Sequence, residues 1–234
     1  MPKNTIARKM LCAVFLLTEL TLGILLQLLP GRAATWCAYA AVLLACLFAF
    51  LFFSRTKRYL FTQAALLATV CADYFLVLRG AEQKLIAMLF FSVTQLCYFA
   101  RIYFAENREK RRTVHVILRI LVPILTLALT LAVLGKSADA VATVSMFYFA
   151  NLLLNIVFAF LLGEKPPIFA VGLLLFAFCD VFVGLSLLDG YLPITKGSFI
   201  YRLAHPGFNL AWVFYVPSQA LLALSLAPSY KRKK

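Results

Sequence analysis

The sequence predicts an all-α, polytopic membrane bundle of about eight spans, in a single domain over residues 1–234, and three observations carry that reading. Of the 234 residues, 64% are hydrophobic and only 14% are charged, where a soluble domain averages about 45–50% and about 25%. Apolar runs of about 20 residues recur along the whole length, each enough to cross a hydrocarbon core of roughly 30 Å at 1.5 Å rise per residue. The breaks between the runs carry turn formers or charge. Alternating strand patterns are absent, which excludes a β-barrel.

The spans follow one another with clear punctuation. Span 11–29 begins after Arg8-Lys9 and stops at Pro30-Gly31-Arg32. Spans 34–53 and 60–78 are separated by the basic run from Arg55 to Arg58, and the second stops at Arg79-Gly80. Span 85–104 ends before the charged stretch from Glu106 to Arg112, and span 116–134 ends at Gly135-Lys136. Span 140–162 is closed by the stretch from Gly163 to Pro167, and span 168–188 by Asp189-Gly190. The connection 189–208 is expected to hold a re-entrant or interfacial segment around Leu192-Pro193 and His205-Pro206-Gly207 before the last span, 209–227. The first run has the outline of a signal peptide, but Glu19 in its middle and the lack of a small-x-small cleavage site make it a retained span.

Charge sets the orientation. With the N-terminus cytoplasmic, the inner segments hold Lys3, Arg8, Lys9, Arg55, Lys57, Arg58, Arg101, Arg108, Lys110, Arg111, Arg112, Arg119, Lys165, Lys231, Arg232, Lys233 and Lys234, which is 17 of the 23 basic residues. The outer segments hold the other six: Arg32, Arg79, Lys84, Lys136, Lys196 and Arg202. The asymmetry predicts N-in, C-in, as an even number of spans requires. The net charge of +14 does not imply a nucleic-acid partner, because the basic residues flank spans and form no soluble basic module. The closing Lys-Arg-Lys-Lys reads as a cytoplasmic basic end. No targeting or glycosylation pattern demands a eukaryotic host, so the expected location is a bacterial cytoplasmic membrane.

Cofactor chemistry finds no support. Cys12, Cys37, Cys46, Cys71, Cys97 and Cys179 fall within spans and form no C-x-x-C pair, as expected of small buried apolar side chains. The two histidines, His115 and His205, are placed in or near loops on opposite sides of the membrane, so neither a metal site nor a cofactor is expected.

The informative residues are carboxylates inside apolar runs. Asp73 lies in LLATVCADYFLVL and Asp180 in LLLFAFCDVFVGL, and Glu19 interrupts the first span. A charged side chain at mid-membrane costs roughly 2.5–3.5 kcal/mol on insertion scales, so such groups mark polar sites. In this topology Asp73 lies about five residues, Asp180 about eight and Glu19 about ten from the outer boundary, or roughly 7.5, 12 and 15 Å. Both aspartates then belong to one site if spans three and seven are neighbours. Other polar residues follow helical spacing: Glu19, Gly23 and Gln27; Ser92, Gln95 and Tyr98; Tyr148, Asn151 and Asn155; Trp212, Tyr215 and Gln219, with Pro217 between. Gly172 and Gly184 share a stripe with Asp180 and are expected to admit a neighbouring helix closely. Asp73 and Asp180 also fall on spans three and seven, the same place in two sets of four, which suggests two parallel four-helix halves.

These motifs, in this order, resemble the YhhN-like membrane family, whose best-known activity is lysoplasmalogenase. That family has a helix of the form FslxGDxxL, an HxxY-like step one helix later, a helix of the form LFxxSDxxxA and a last helix with TYxxxQ. The counterparts here are Leu67 to Leu76 with Ala72-Asp73, Gln95 to Tyr98, Leu175 to Leu185 with Cys179-Asp180, and Phe214 to Gln219. Ala72, Gln95 and Cys179 stand where glycine, histidine and serine are expected, and a Lys-Pro step occurs only before span seven, at Lys165-Pro166, so the chain is a divergent member.

The resemblance implies eight spans and a lysophospholipid substrate held within the bilayer. It makes Asp73 and Asp180 the catalytic pair and draws Gln95, Tyr98, Tyr215 and Gln219 into substrate binding; the polar stripes, not the resemblance, add Asn151 and Glu19 as candidates. Hydrolysis of a vinyl ether needs one carboxyl that carries a proton and one that is ionised, and two aspartates in one cavity supply both roles without metal or cofactor. Two other readings stay open at this point: a small proton-linked or lipid transporter that uses the same carboxylates, and an inactive member with a structural role. Oligomeric state is not legible in the sequence.

Overall fold

The computed structural model describes residues 5–52, 55–187, 190–191, 195–205 and 207–227. The described residues are helical and contain no strand. In chain order the α-helices are α1 (Thr5–Leu28), α2 (Gly31–Phe50), α3 (Lys57–Asp73), α4 (Lys84–Ala105), α5 (Glu109–Leu134), α6 (Ala140–Leu161), α7 (Ile168–Leu187), α8 (Phe199–Ala204) and α9 (Leu210–Leu224). Among the described residues seven helices, α1 to α7, are long and apolar enough to cross a membrane.

The last helix differs from expectation. A span over 209–227 was expected, yet α9 holds 15 residues, about 22 Å at the helical rise. Its C-terminal end is held by side-chain hydrogen bonds from neighbouring helices and from Ser225. Arg58 donates to the Ser225 carbonyl at 2.7 Å, Arg101 donates to the Ser225 hydroxyl at 2.7 Å, and that hydroxyl donates to the Leu222 carbonyl at 2.6 Å. These groups meet the carbonyls that a longer helix would have bonded. Of the long connection before α9, Leu192, Pro193 and Pro206 lie outside the described residues, and the described part forms the one-and-a-half-turn α8.

Four of the helices pack on α9. It lies closely along α7 and also meets α1, α2 and α3. Gly172 permits the α7–α9 approach, since a Cβ there would stand 3.0 Å from Leu222. The other close pair is α3 with α4, bridged by Thr69 and Thr94 at 3.2 Å. Helix α5 is the outermost, resting mainly on α6 and turning side chains such as Leu125, Leu129 and Val133 outward, as expected of a lipid-facing helix.

Two local features position the site. At Asp73 the α-helical ladder of α3 gives way to a π-helical turn, Tyr74–Leu78, closed by the Arg79 N–H on the Tyr74 carbonyl at 3.1 Å. Such π-turns displace side chains from the regular stripe and recur at functional sites. Gly80 then takes φ 85°, a left-handed conformation that favours glycine, and turns the chain into α4. At the same end Asp139 caps α6 through the Ala142 N–H at 2.7 Å and accepts the Tyr191 hydroxyl at 3.2 Å, which ties the chain after α7 to the start of α6. Burial, and then the Asp139 carboxylate, hold the Tyr191 phenol above its ordinary range.

Candidate functional site

A cavity of about 660 Å³ opens at the end of the bundle where α1, α3 and α7 finish and α2, α4, α6 and α9 begin. Its lining is mostly apolar, with Leu76, Met88, Phe91, Phe149 and Phe176 among the walls. Both aspartates line it, although they come from helices that share no extensive contact. The sequence made a shared site conditional on spans three and seven being neighbours; instead α9 packs on both, and the two carboxyls line one cavity without extensive contact between their helices.

Each carboxyl stands beside a tyrosine from another helix. Tyr215 of α9 donates its hydroxyl to Asp73 Oδ2 at 2.6 Å, and Asp73 is only 1% exposed. Tyr148 of α6 lies beside Asp180. Asp180 Oδ2 is buried and has no hydrogen-bond partner among the described residues. An aromatic frame sets the two tyrosines: Phe176 meets Tyr215 edge-on at 5.3 Å, and Phe91 stacks on Tyr148 at 5.8 Å and meets Phe176 at 5.9 Å. Phe176, Asp180 and Gly184 are spaced i, i+4, i+8 on α7, so one face of that helix carries the wall, the acid and the opening. A Cβ at Gly184 would meet nothing within 4 Å, so this glycine leaves room in the cavity, whereas a close helix approach was expected there.

A family model for the YhhN family matches residues 33–226. The chain belongs to the YhhN family. No curated protein and no solved structure matches it. The matched stretch holds both aspartates, Tyr148 and Tyr215 and leaves out Glu19. The three departures from the family pattern are all buried in this YhhN protein: Ala72, Gln95 and Cys179, the last beside Asp180 on the cavity wall.

Of the eight residues singled out in the sequence, Asp73, Asp180 and Tyr215 line the cavity and the other five do not. Gln95 and Asn151 belong to a separate network centred on Arg119 of α5. Arg119 donates to Asn151 Oδ1 at 2.6 Å and to Asn155 Oδ1 at 2.6 Å, and Asn155 Nδ2 donates to Gln95 Oε1 at 3.0 Å. The guanidinium also meets His115 Nε2 at 3.0 Å and the Phe99 ring at 4.6 Å. His115, expected in or near a loop, is instead buried on α5 and stacked on Phe158 at 3.7 Å.

The remaining three sit in the core of the YhhN bundle. Tyr98 packs edge-on against Phe169 at 5.5 Å and its hydroxyl has no partner among the described residues. Glu19 is 2% exposed, and neither its carboxylate oxygens nor the amide atoms of Gln219 have such a partner. Gln27, on the Glu19 stripe, exchanges two hydrogen bonds with the Asn209 backbone, each at 3.0 Å.

Sequence reasoning passed over Tyr148 as a site residue and Arg119 as a membrane-embedded one. The spacing held a signal for the second: His115 and Arg119 are i, i+4 on α5, as Asn151 and Asn155 are on α6. Among the described residues no group of three or more His, Cys, Asp or Glu side chains is placed to hold a metal ion.

Proposed function

We propose that this YhhN protein hydrolyses the vinyl ether of lysoplasmalogens, releasing a fatty aldehyde and a glycerophospho-headgroup. The observation that carries the reading is the pair Asp73 and Asp180, brought from separate helices to one largely apolar cavity. The apolar walls suit a lipid chain, and the two carboxyls suit acid–base chemistry that needs no cofactor.

The roles divide by surroundings. Asp180, whose Oδ2 has no hydrogen-bond partner among the described residues, carries the proton and delivers it to the vinyl carbon remote from oxygen. The electron pair of the ether oxygen then forms the oxocarbenium. Asp73 accepts the Tyr215 hydroxyl, so it serves as the ionised carboxylate that stabilises the cation and orients water. Water adds to the cationic carbon and loses a proton to a carboxylate. The resulting hemiacetal collapses: its hydroxyl gives up its proton to the ionised carboxylate, the bond from that carbon to the glycerol oxygen breaks, the glycerol oxygen takes a proton from the protonated carboxyl, and the aldehyde leaves.

In this proposal the N-terminus is cytoplasmic, α9 completes an eighth crossing, and the cavity opens toward the non-cytoplasmic face. The location is a bacterial cytoplasmic membrane. The basic residues flanking the opposite end support that orientation.

The test is fatty-aldehyde release from lysoplasmenylcholine and lysoplasmenylethanolamine by purified protein in detergent, with D73N and D180N alongside. Aldehyde from wild type and from neither folded variant supports the hydrolase. A folded wild type that releases none from either lipid sinks it, and substrate movement without covalent change then becomes the reading to pursue.

A further inference from the structure

The cavity holds one cation that the hydrolytic proposal does not use. Lys84, the first residue of α4, lines the cavity and is partly buried. It is the only Lys or Arg among the described lining residues. Its side chain has no hydrogen-bond or ion-pair partner among the described residues. Other cations drawn into the bundle have protein partners: Arg101 pairs with Glu164 at 3.3 Å, Arg111 with Glu106 at 3.6 Å, and Arg119 donates to the neutral amide oxygens of Asn151 and Asn155. A partly desolvated ammonium without a counter-charge is costly unless an anion comes to it.

Its height in the cavity says which anion. Phe91, which packs on Tyr148 and on Phe176 one helical turn deeper than Asp180, lies seven residues further along α4. At 1.5 Å per residue the Lys84 backbone is about 10 Å nearer the mouth. Thr35, Ser145 and Asn209 also line the cavity toward that end, so the rim carries polar groups among its apolar ones, and the depth is apolar apart from the two carboxyls and the Tyr148 and Tyr215 hydroxyls. In a single-chain ether phospholipid the phosphorus stands five bonds from the ether oxygen, roughly 6 Å at ordinary bond lengths. The flexible lysine stem spans the remainder.

We propose that Lys84 is the phosphate anchor of this cavity: it pairs with the phosphodiester of a single-chain phospholipid at the mouth and so sets the depth at which the ether bond meets Asp73 and Asp180. The anchor rests on the lipid reading of the cavity. It adds to that reading the residue that meets the phosphate and the discrimination against a neutral ether glyceride that follows from it. A lysine acts here as a mobile point charge, so arginine substitutes for it in part and a neutral side chain does not.

The experiment reads binding, so it does not depend on turnover. Trp212 lines the cavity, and its fluorescence is titrated with three probes in the same detergent. The first is 1-O-alkyl-glycerophosphocholine, whose saturated ether has no vinyl carbon to protonate. The second is the matching 1-O-alkylglycerol, without phosphate. The third is glycerophosphocholine, without a chain. Wild type is expected to bind the first at least tenfold more tightly than the second. In K84Q and K84M that ratio falls to within about twofold while alkylglycerol affinity holds, which doubles as the folding control; K84R keeps most of the preference.

A wild-type ratio near one overturns the anchor, as does an unchanged ratio in both neutral variants. Glycerophosphocholine binding as tightly as the alkyl lysolipid overturns it too, since the site would then take free phosphate esters. Absence of aldehyde from the vinyl substrates, with the binding preference intact, sinks the hydrolase alone.

Discussion

The Tyr215 hydroxyl donates to Asp73 Oδ2 at 2.6 Å, joining α9 to α3 at the residue where α3 passes into its π-turn. This bond holds the carboxyl in one orientation at the cavity wall. Hydrogen bonds to an ionised group are worth about 1.5–3 kcal/mol net. Tyr215→Phe keeps the ring against Phe176 and removes only the donor. The expected outcome is a fold that survives with stability lowered by about 1–3 kcal/mol and aldehyde release reduced about tenfold or more. Thermal unfolding in detergent and initial rates check the two parts. An unchanged rate would remove Tyr215 from the mechanism.

Asp180 predicts a different balance. Its Oδ2 has no hydrogen-bond partner among the described residues, and an amide oxygen at this position still accepts from the neighbouring Tyr148 hydroxyl, so Asp180→Asn is expected to leave the unfolding midpoint within a few degrees of wild type. Aldehyde release is expected to fall by about 10²–10⁴-fold, the usual contribution of a positioned general acid. A variant that loses stability and keeps its rate would make Asp180 a structural residue.

The two glycines of the α7 stripe separate packing from function. A Cβ at Gly172 meets Leu222 side-chain atoms at 3.0 and 3.1 Å and its backbone nitrogen at 3.2 Å. Gly172→Ala is therefore expected to cost about 1–3 kcal/mol by overpacking. Gly184 faces open space, so Gly184→Leu is expected to fold normally, fill part of the cavity and raise KM for the longest substrates most. Unfolding curves of both variants, with a chain-length series for the second, check this.

Arg119 tests the network around Gln95. Arg119→Leu strips Asn151 and Asn155 of their donor, at about 1–3 kcal/mol for each buried group left unsatisfied. The expected result is a large fall in thermal stability and easier proteolysis of α5. Aldehyde release per folded molecule is expected to change little, because none of these groups lines the cavity.

The membrane class, the helical content and most span limits are legible in the sequence because they follow from local quantities. Apolar run length, turn residues and flanking charge are each read within a window of about 20 residues. Asp73 and Asp180 are legible for the same reason, since an aspartate in an apolar run is costly wherever the run packs. Their partners are not. Tyr215 and Tyr148 reach the cavity only through the packing of α9 and α6, while Asn151 is bonded by Arg119 and Gln95 by Asn155, away from the cavity lining.

Gly172 and Gly184 show the division most plainly. They share one helical stripe, and sequence assigns them one role, yet one lies against α9 and the other opens on a cavity. Helical spacing decides which side chains share a face. Which neighbour that face meets depends on contacts far apart in the chain, and only the tertiary structure decides those. The sequence by itself determined a helical membrane protein with two intramembrane acids; packing around α9 brought those acids to one cavity.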